Sequence, residues 1–217
     1  MDLQSSRMDA AGECSGDEPT AGPEYAQRLV GGSAAAGKRL LHVQAPYRTH
    51  VRRICPGRVL DLGCGIGRNL GHLGGRAVGV DHNRVSVGIA RRSGHRAHIT
   101  TEFADSSDGR LGSYDCLLLA HVLEHMTQAR GETLLTAYLP YLRPGGRVVL
   151  VCPQERGYGS DPTHVEFLDI PRLTAMCRRA GLLVRRHYSF PLPHSAGRIF
   201  THNEFVVLAD KPRSVLA

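Results

Sequence analysis

Apolar runs of membrane-spanning length are missing from this chain; the longest, "CLLLA" and "RVVLVC", are the size of a strand. Lysine is nearly missing too. It occurs only at Lys38 and Lys211, so arginine carries the net charge of +7. The arginines stand singly or as doublets (Arg52-Arg53, Arg91-Arg92, Arg178-Arg179, Arg185-Arg186), with no tract interleaved with aromatics. Charge therefore permits a nucleic-acid partner but does not indicate one. The 6 cysteines form no C-x-x-C pair, which argues against a zinc ribbon and against a secreted disulfide scaffold. The 12 histidines show neither H-E-x-x-H nor any ligand-spaced cluster, so no metal is expected. No basic-then-apolar leader opens the chain, which reads as a cytoplasmic protein away from membranes. There are no internal repeats.

What remains is a chain of 217 residues, enough for one well-cored domain and too short for two ordinary ones. Residues 1–36 are rich in Gly, Ala, Ser and acids without periodicity and read as a mobile tail, ordering near "PEYAQRL". Residues 37–217 form the domain. Its first part, 37–55, is a helical lid or cap in which Leu40, Val43, Tyr47, Val51 and Ile54 share a face, with Pro46 interrupting. Strand-like runs follow at 58–62, 76–80, 96–100, 114–120 and 147–152, then β-rich stretches at 182–189 and 203–209. Helical patterns lie between them. Asn83 caps "RVSVGIARR", Thr127 caps "QARGETLLTAYLPYL" up to "RPGG", and Asp169 caps a helix with Pro171 in its first turn and Gly181 at its end. Strands alternating with helices imply a mostly parallel sheet covered on both faces.

The stretch "VLDLGCGIGRNL" at 59–70 runs from an apolar strand through Asp61 into three alternating glycines. In such a sheet the loop after the first strand is where a ligand is expected. A P-loop would need G-K-[ST], but Gly67 is followed by Arg68 and Asn69. A dinucleotide fingerprint needs a third glycine three residues after the second, and Arg68 or Leu70 stands there instead. Asp61 would also repel a pyrophosphate, whereas an ammonium or sulfonium would be attracted to it.

The order Asp-x-Gly-x-Gly-x-Gly at 61–67, Asp81 ending the next strand in "AVGVDHN", then "YDCLLLAHVLEHM" and "YLRPGGRVVLV", resembles class I S-adenosylmethionine-dependent methyltransferases. Within them it is similar to the small-molecule branch that includes enzymes of ubiquinone-biosynthesis type. The resemblance covers about residues 57–185. It implies a Rossmann-like α/β fold with a seven-stranded, mostly parallel sheet and helices on both faces. It implies S-adenosylmethionine as cofactor, with S-adenosylhomocysteine as product, and a small organic methyl acceptor.

Residue by residue, the resemblance has the backbone at Gly63, Gly65 and Gly67 approaching the cofactor, Asp61 near its ammonium and Asp81 accepting from the ribose hydroxyls. Turn capping is the alternative for Asp61, and helix capping for Asp81. Glu102, or a backbone amide near Phe103, would meet the adenine; His121 and Val122 would line the cofactor, while His125 is a packing or chemical residue. Gln44, Tyr47 and Arg48 would close over the methionine end, with a core Tyr47 and a solvated Arg48 as the alternative. The polar loop "CPQERGYGSDPTHVEF" offers His164 as a general base toward an acceptor oxygen, since an imidazole titrates near neutral pH. The nitrogen-methylating Asn/Asp-Pro-Pro-aromatic motif is absent, and Cys152-Pro153 reverses the Pro-Cys order of cytosine C5 enzymes. An RNA methyltransferase and a non-catalytic cofactor-binding module are the competing readings.

Overall fold

The computed structural model describes residues 20, 22–24, 26–27 and 40–213; within the first helix, the side chains of residues 40–44 lie outside that description. Chain order gives α1 (Leu40–Ile54), β1 (Val59–Leu62), α2 (Arg68–Leu73), β2 (Ala77–Asp81), α3 (Arg84–Arg92), β3 (Ala97–Ile99) and α4 (Thr100–Phe103). Then come β4 (Tyr114–Ala120), α5 (Gln128–Tyr138), β5 (Leu142–Pro153), α6 (Glu155–Tyr158), α7 (Ile170–Arg179), β6 (Leu183–Phe190) and β7 (Glu204–Asp210). The seven strands form one sheet in the order β3-β2-β1-β4-β5-β7-β6. All neighbours are parallel except β7, which runs antiparallel to β5 and β6. Strand order reverses between β1 and β4, so the loops leaving those strands diverge and open a crevice.

The central strands are apolar on both sides, as a sheet between two helical layers requires. Along β4, Leu117 and Leu119 join Leu60, Leu150, Phe205, Leu135 and Met176 on one face. Cys116 and Leu118 point the other way, to Val59, Val149, Val51, Leu70 and Val87. Alternation at period two is what divides the strand between the layers. Each fully buried Leu contributes about 1.5–3 kcal/mol.

Local signals account for several boundaries. Asn83 accepts from the Ser86 amide at 3.0 Å and Asp169 from the Arg172 amide at 3.0 Å, capping α3 and α7. Three expectations are corrected. Thr127 makes no side-chain cap; the amide of Gln128 donates instead to Glu166 Oε2 at 2.5 Å, a partner supplied by a distant loop. The helix it opens ends at Tyr138 and a 3-10 turn at Leu139–Tyr141, and "RPGG" belongs to β5 as a bulge opposite Tyr114 and Cys116. Pro46 lies inside α1 without interrupting it. A proline costs a helix interior about 3 kcal/mol, and burial of Val51 and Ile54 beyond it offsets that.

Part of the expected tail lies within the description. Asn83 Nδ2 donates to the carbonyls of Thr20 and Gly22 at 2.9 and 3.1 Å, and Thr20 Oγ1 lies 3.2 Å from His82 Nε2. Ala26 is buried, so these residues rest against the domain beside the end of β2; the rest of residues 1–36 lie outside the description.

Candidate functional site

The ligand-side end of β1 carries Asp61, whose strand neighbours are Gly79 and Leu118. The loop beyond it folds back on β2, with the Gly63 and Cys64 amides donating to the Val80 carbonyl at 2.8 and 3.1 Å. Gly63 has φ +69° and a Cβ there would stand 2.4 Å from Val122 Cγ2. Gly67, at φ +90°, opens α2, and its Cβ would meet His95 Cδ2 at 2.7 Å. Left-handed backbone and close packing both demand glycine at these positions. The glycines thus let the loop pack against its own domain, a reason the sequence reading did not include.

Asp81 closes β2. Its Oδ2 accepts from the Gly65 amide at 2.7 Å and its Oδ1 from the Asn83 amide at 2.8 Å. This one carboxylate holds the glycine loop and the start of α3 in register. Each oxygen keeps a second lone pair for a ligand hydroxyl.

Asp61 is in a different state. It is 1% exposed, and its Oδ2 has no hydrogen-bond partner among the described residues. Burial pushes its pKa from 3.8 to about 8; a hydrogen bond from Asn69 opposes this and the nearby Asp81 charge adds to it. Tyr47, from α1, donates to Asn69 Oδ1 at 3.4 Å. Its own pKa is raised by burial and by the Glu204 and Asp61 carboxyls, which places its hydroxyl among the acids. Arg48 is exposed, and the Gln44 side chain lies outside the described residues.

At the end of β4, His121 has φ +59°, an uncommon conformation for a non-glycine residue and a frequent mark of functional sites. Its Nε2 lies 2.8 Å from Glu204 Oε1 and its Nδ1 3.3 Å from Glu124 Oε1. Burial alone would lower its pKa, but Glu204 and Glu124 outweigh that and raise it to about 10. The imidazole is therefore a cation clamped between two acids. Glu124 is 1% exposed and, apart from its ion pair with His121, its carboxylate oxygens have no well-formed hydrogen bond among the described residues. Glu204 reaches this end because β7 runs antiparallel, so its first residue pairs with the last of β5, Pro153. Neither acid was singled out from the sequence; an acid opening the apolar run "FVVLA" is the only local signal for Glu204.

The residues after β3 are placed elsewhere. The Phe103 ring is buried in the core against Tyr138 and Tyr141, at centroid distances of 5.9 and 4.9 Å. Glu102 pairs with Arg91 at 3.2 Å and Arg84 at 3.8 Å on the outer side of α3. Phe103 is thus a core residue, and the backbone of this turn and the half-exposed Glu102 carboxylate remain the groups that could face an adenine.

The loop after β5 brings His164 to within 4.8 Å, ring centroid to centroid, of His125. His164 Nδ1 bonds the Tyr158 carbonyl at 2.7 Å, and Tyr158 stacks on its ring at 5.2 Å. His125 Nδ1 bonds the Thr163 carbonyl at 3.2 Å, and burial lowers its pKa. Asp161 caps the turn through the Thr163 amide and hydroxyl at 2.9 and 2.7 Å. One potential ligand atom each from Glu124, His125 and His164 lie within 4.8 Å of one another. The sequence shows no ligand spacing here; the fold brings these three side chains together from two segments remote in sequence. A surface cleft of about 460 Å³, lined by Glu155, Arg156, Gly159, Ser160, Arg198 and Thr201, lies beside α6 and includes none of the expected site residues.

Strand order, a glycine loop after β1 and buried acids at the ends of β1 and β2 define an α/β domain built to hold a nucleoside cofactor. Residues 38–209 match the Methyltransferase domain family, and the chain belongs to that family, with the fold of class I S-adenosylmethionine-dependent methyltransferases. It is 33% identical over 112 residues to a ribosomal protein L11 methyltransferase of Ralstonia pickettii, covering 48% of this chain and 35% of the relative. It is 29% identical over 96 residues to a ubiquinone biosynthesis O-methyltransferase of Methylocella silvestris, covering 41% of this chain and 37% of the relative. The chain thus spans little more than a third of the length of these curated relatives. The Burkholderia thailandensis 1,6-didemethyltoxoflavin-N1-methyltransferase, solved with bound 1,6-didemethyltoxoflavin and S-adenosylhomocysteine, superposes with a TM-score of 0.55 at 23% identity, covering 90% of this chain and 93% of that one. Among the described residues no helix is long and apolar enough to cross a membrane.

Proposed function

We propose that this chain transfers the methyl group of S-adenosylmethionine to a hydroxyl oxygen of a small organic acceptor, with His164 the side chain that meets that hydroxyl. The carrying observation is Asp61: a buried carboxyl with a raised pKa and an unpartnered Oδ2 beside the glycine loop. A buried acceptor without a partner costs about 1–3 kcal/mol, and a ligand ammonium removes that cost while returning the carboxyl to its charged form. Asp81 presents its remaining lone pairs to the ribose hydroxyls. Tyr47 and Asn69 close the methionine end and exclude water from Asp61. When bound, the cofactor supplies a methyl group already activated on a sulfonium, so the protein's task is in-line positioning and a dry site.

The acceptor side rests on His164. With Nδ1 held by the Tyr158 carbonyl, Nε2 is the nitrogen available to a hydroxyl, and the Methylocella relative is named for oxygen methylation. The Ralstonia relative favours a second reading, a protein acceptor. Calorimetry with S-adenosylhomocysteine and NAD tests the cofactor: the first should bind and the second should not. Radiolabelled methyl transfer to hydroxyl-bearing metabolites, ribosomal protein L11 and RNA, run side by side, tests the acceptor. Label confined to L11 or to RNA would overturn the small-molecule reading.

A further inference from the structure

We infer that Glu124, His125 and His164 form a binding site for one divalent transition-metal ion at the acceptor end of the crevice. Three observations converge on it. Donor atoms from the three side chains already lie within 4.8 Å of one another. Glu124 is 1% exposed, one of its carboxylate oxygens belongs to this group of donor atoms, and beside the His121 ion pair neither oxygen has a well-formed hydrogen bond among the described residues. His121 pairs with Oε1 from 3.3 Å, and the remaining lone pairs of the carboxylate stay available to a ligand. Both histidines, finally, are oriented as metal ligands are: each bonds a main-chain carbonyl through Nδ1, Tyr158 for His164 and Thr163 for His125. That bond fixes the tautomer, leaves the lone pair on Nε2 and raises its basicity, as the outer shell of a metal site does.

Two donors bound to one ion at about 2.1 Å each are at most about 4.2 Å apart, so the cluster closes by roughly half an ångström on binding. A set of two imidazoles and one carboxylate suits manganese, iron(II), cobalt or zinc, and not the all-oxygen shells of calcium or magnesium. Three protein ligands leave positions open on the ion. Resting here on the methyltransferase reading, an acceptor hydroxyl taking one of them is acidified: its O–H bond breaks, the proton goes to water and the electron pair stays on the oxygen. With the ion bound, it replaces the direct contact of His164 Nε2 with the hydroxyl proposed above, and His164 acts on the acceptor through the ion.

The test uses the full chain with any affinity tag removed, stripped with a chelator and titrated calorimetrically with manganese and with zinc, S-adenosylhomocysteine being titrated separately. The expected result is saturable uptake of one ion per chain, weakened at least about tenfold in His164→Ala and in His125→Ala. Unchanged S-adenosylhomocysteine affinity in His164→Ala shows that the variant is folded. If Glu124→Gln fails to fold, the two histidine variants carry the test. Absence of saturable uptake at millimolar ion, or equal uptake by wild type and both variants, overturns the site. Ion uptake without S-adenosylhomocysteine binding would leave the site standing and remove the methyltransferase reading; the reverse would do the opposite.

Discussion

Replacing Asp61 by Asn should make the ligand-free protein more stable and its cofactor complex weaker. The folded carboxyl titrates at about 8 and the unfolded one near 3.8, because burial disfavours the charged form. Between those values the unfolded chain has released the proton while the folded protein keeps it, so stability falls as pH rises. The slope is about 1.4 kcal/mol per pH unit. Full stability is present below the unfolded pKa, and the whole loss has accrued once pH passes the folded value. At pH 7 the loss is at most about 4 kcal/mol, and relaxation around the charge will reduce what is measured to roughly half of that. Asparagine has nearly the same shape and does not titrate. For a chain of this size 1 kcal/mol is about 2–4 °C, so the variant should melt roughly 4–8 °C higher at pH 7 and within a degree or two of wild type at pH 4.5.

Thermal melts of both proteins from pH 4.5 to 8.5, each with and without S-adenosylhomocysteine, measure the effect. Binding an ammonium restores the charged carboxylate, so wild type should release a proton on binding and bind more tightly as pH approaches 8. The variant should lose about 1.5–3 kcal/mol of affinity, roughly 10- to 150-fold. A variant that is no more stable than wild type across this range, with parallel pH curves, would refute the burial argument; unchanged cofactor affinity would refute the placement of the ammonium.

Asp81→Ala should cost about 2–3 kcal/mol of cofactor affinity, because it removes a carboxylate for the ribose and also frees the Gly65 and Asn83 amides; calorimetry at neutral pH reads it. Gly67→Ala should lower stability by more than about 1 kcal/mol, since left-handed backbone and a 2.7 Å contact with His95 both oppose a Cβ; denaturant unfolding measures it. Asp108, nearly enclosed beside His98, Arg96 and Arg58, has its pKa held below 3.8: burial raises it but those partners outweigh burial. Its stabilisation is present above pH 4 and lost as pH falls below that, and Asp108→Asn should cost about 1–2 kcal/mol at pH 7 by removing the carboxylate that the partly exposed Arg58 and Arg96 and the His98 ring share. Hydrogen exchange should slow in Tyr47–Ile54 when S-adenosylhomocysteine binds; unchanged protection there would make α1 a packing helix only.

Legibility from the sequence followed the range of each interaction. The seven strands, and the caps at Asn83 and Asp169, depend on residues within a turn or two of one another, and they were readable. The glycine loop and its two acids were readable for the same reason, although Gly63 and Gly67 turn out to be required by contacts with Val122 and His95 that no local pattern reveals. Where a distant residue decides, the sequence was silent or misleading. Glu166 takes the cap expected of Thr127, and core burial holds α1 through Pro46. Glu204 enters the site only because the last strand is inserted antiparallel between β5 and β6. His164 could be singled out as chemically apt, but not as a neighbour of His125 and Glu124.

The acids at this end of the sheet differ in how they are satisfied, and the difference marks where ligands belong. Asp81 has both oxygens on backbone amides and is a structural tie with capacity to spare. Among the described residues, Asp61 Oδ2, both oxygens of Glu124 and Glu204 Oε2 have no well-formed hydrogen bond, although His121 pairs with Glu124 at 3.3 Å. Leaving a carboxyl in that condition costs a fold free energy that a non-polar residue of similar volume would not. Each is reached from a different strand end: Asp61 from β1, Glu124 from the turn after β4, Glu204 from the start of β7. No local packing need unites those positions, and what they share is the crevice opened by the reversal between β1 and β4. In a chain whose net charge is +7, three acids gathered here, with the single His121 imidazolium among the described residues shared between two of them, favour something that carries positive charge or donates hydrogen bonds. The proposed placement of the cofactor's ammonium at Asp61 would meet that requirement on one side of the crevice, and the proposed metal ion beside Glu124 would meet it on the other.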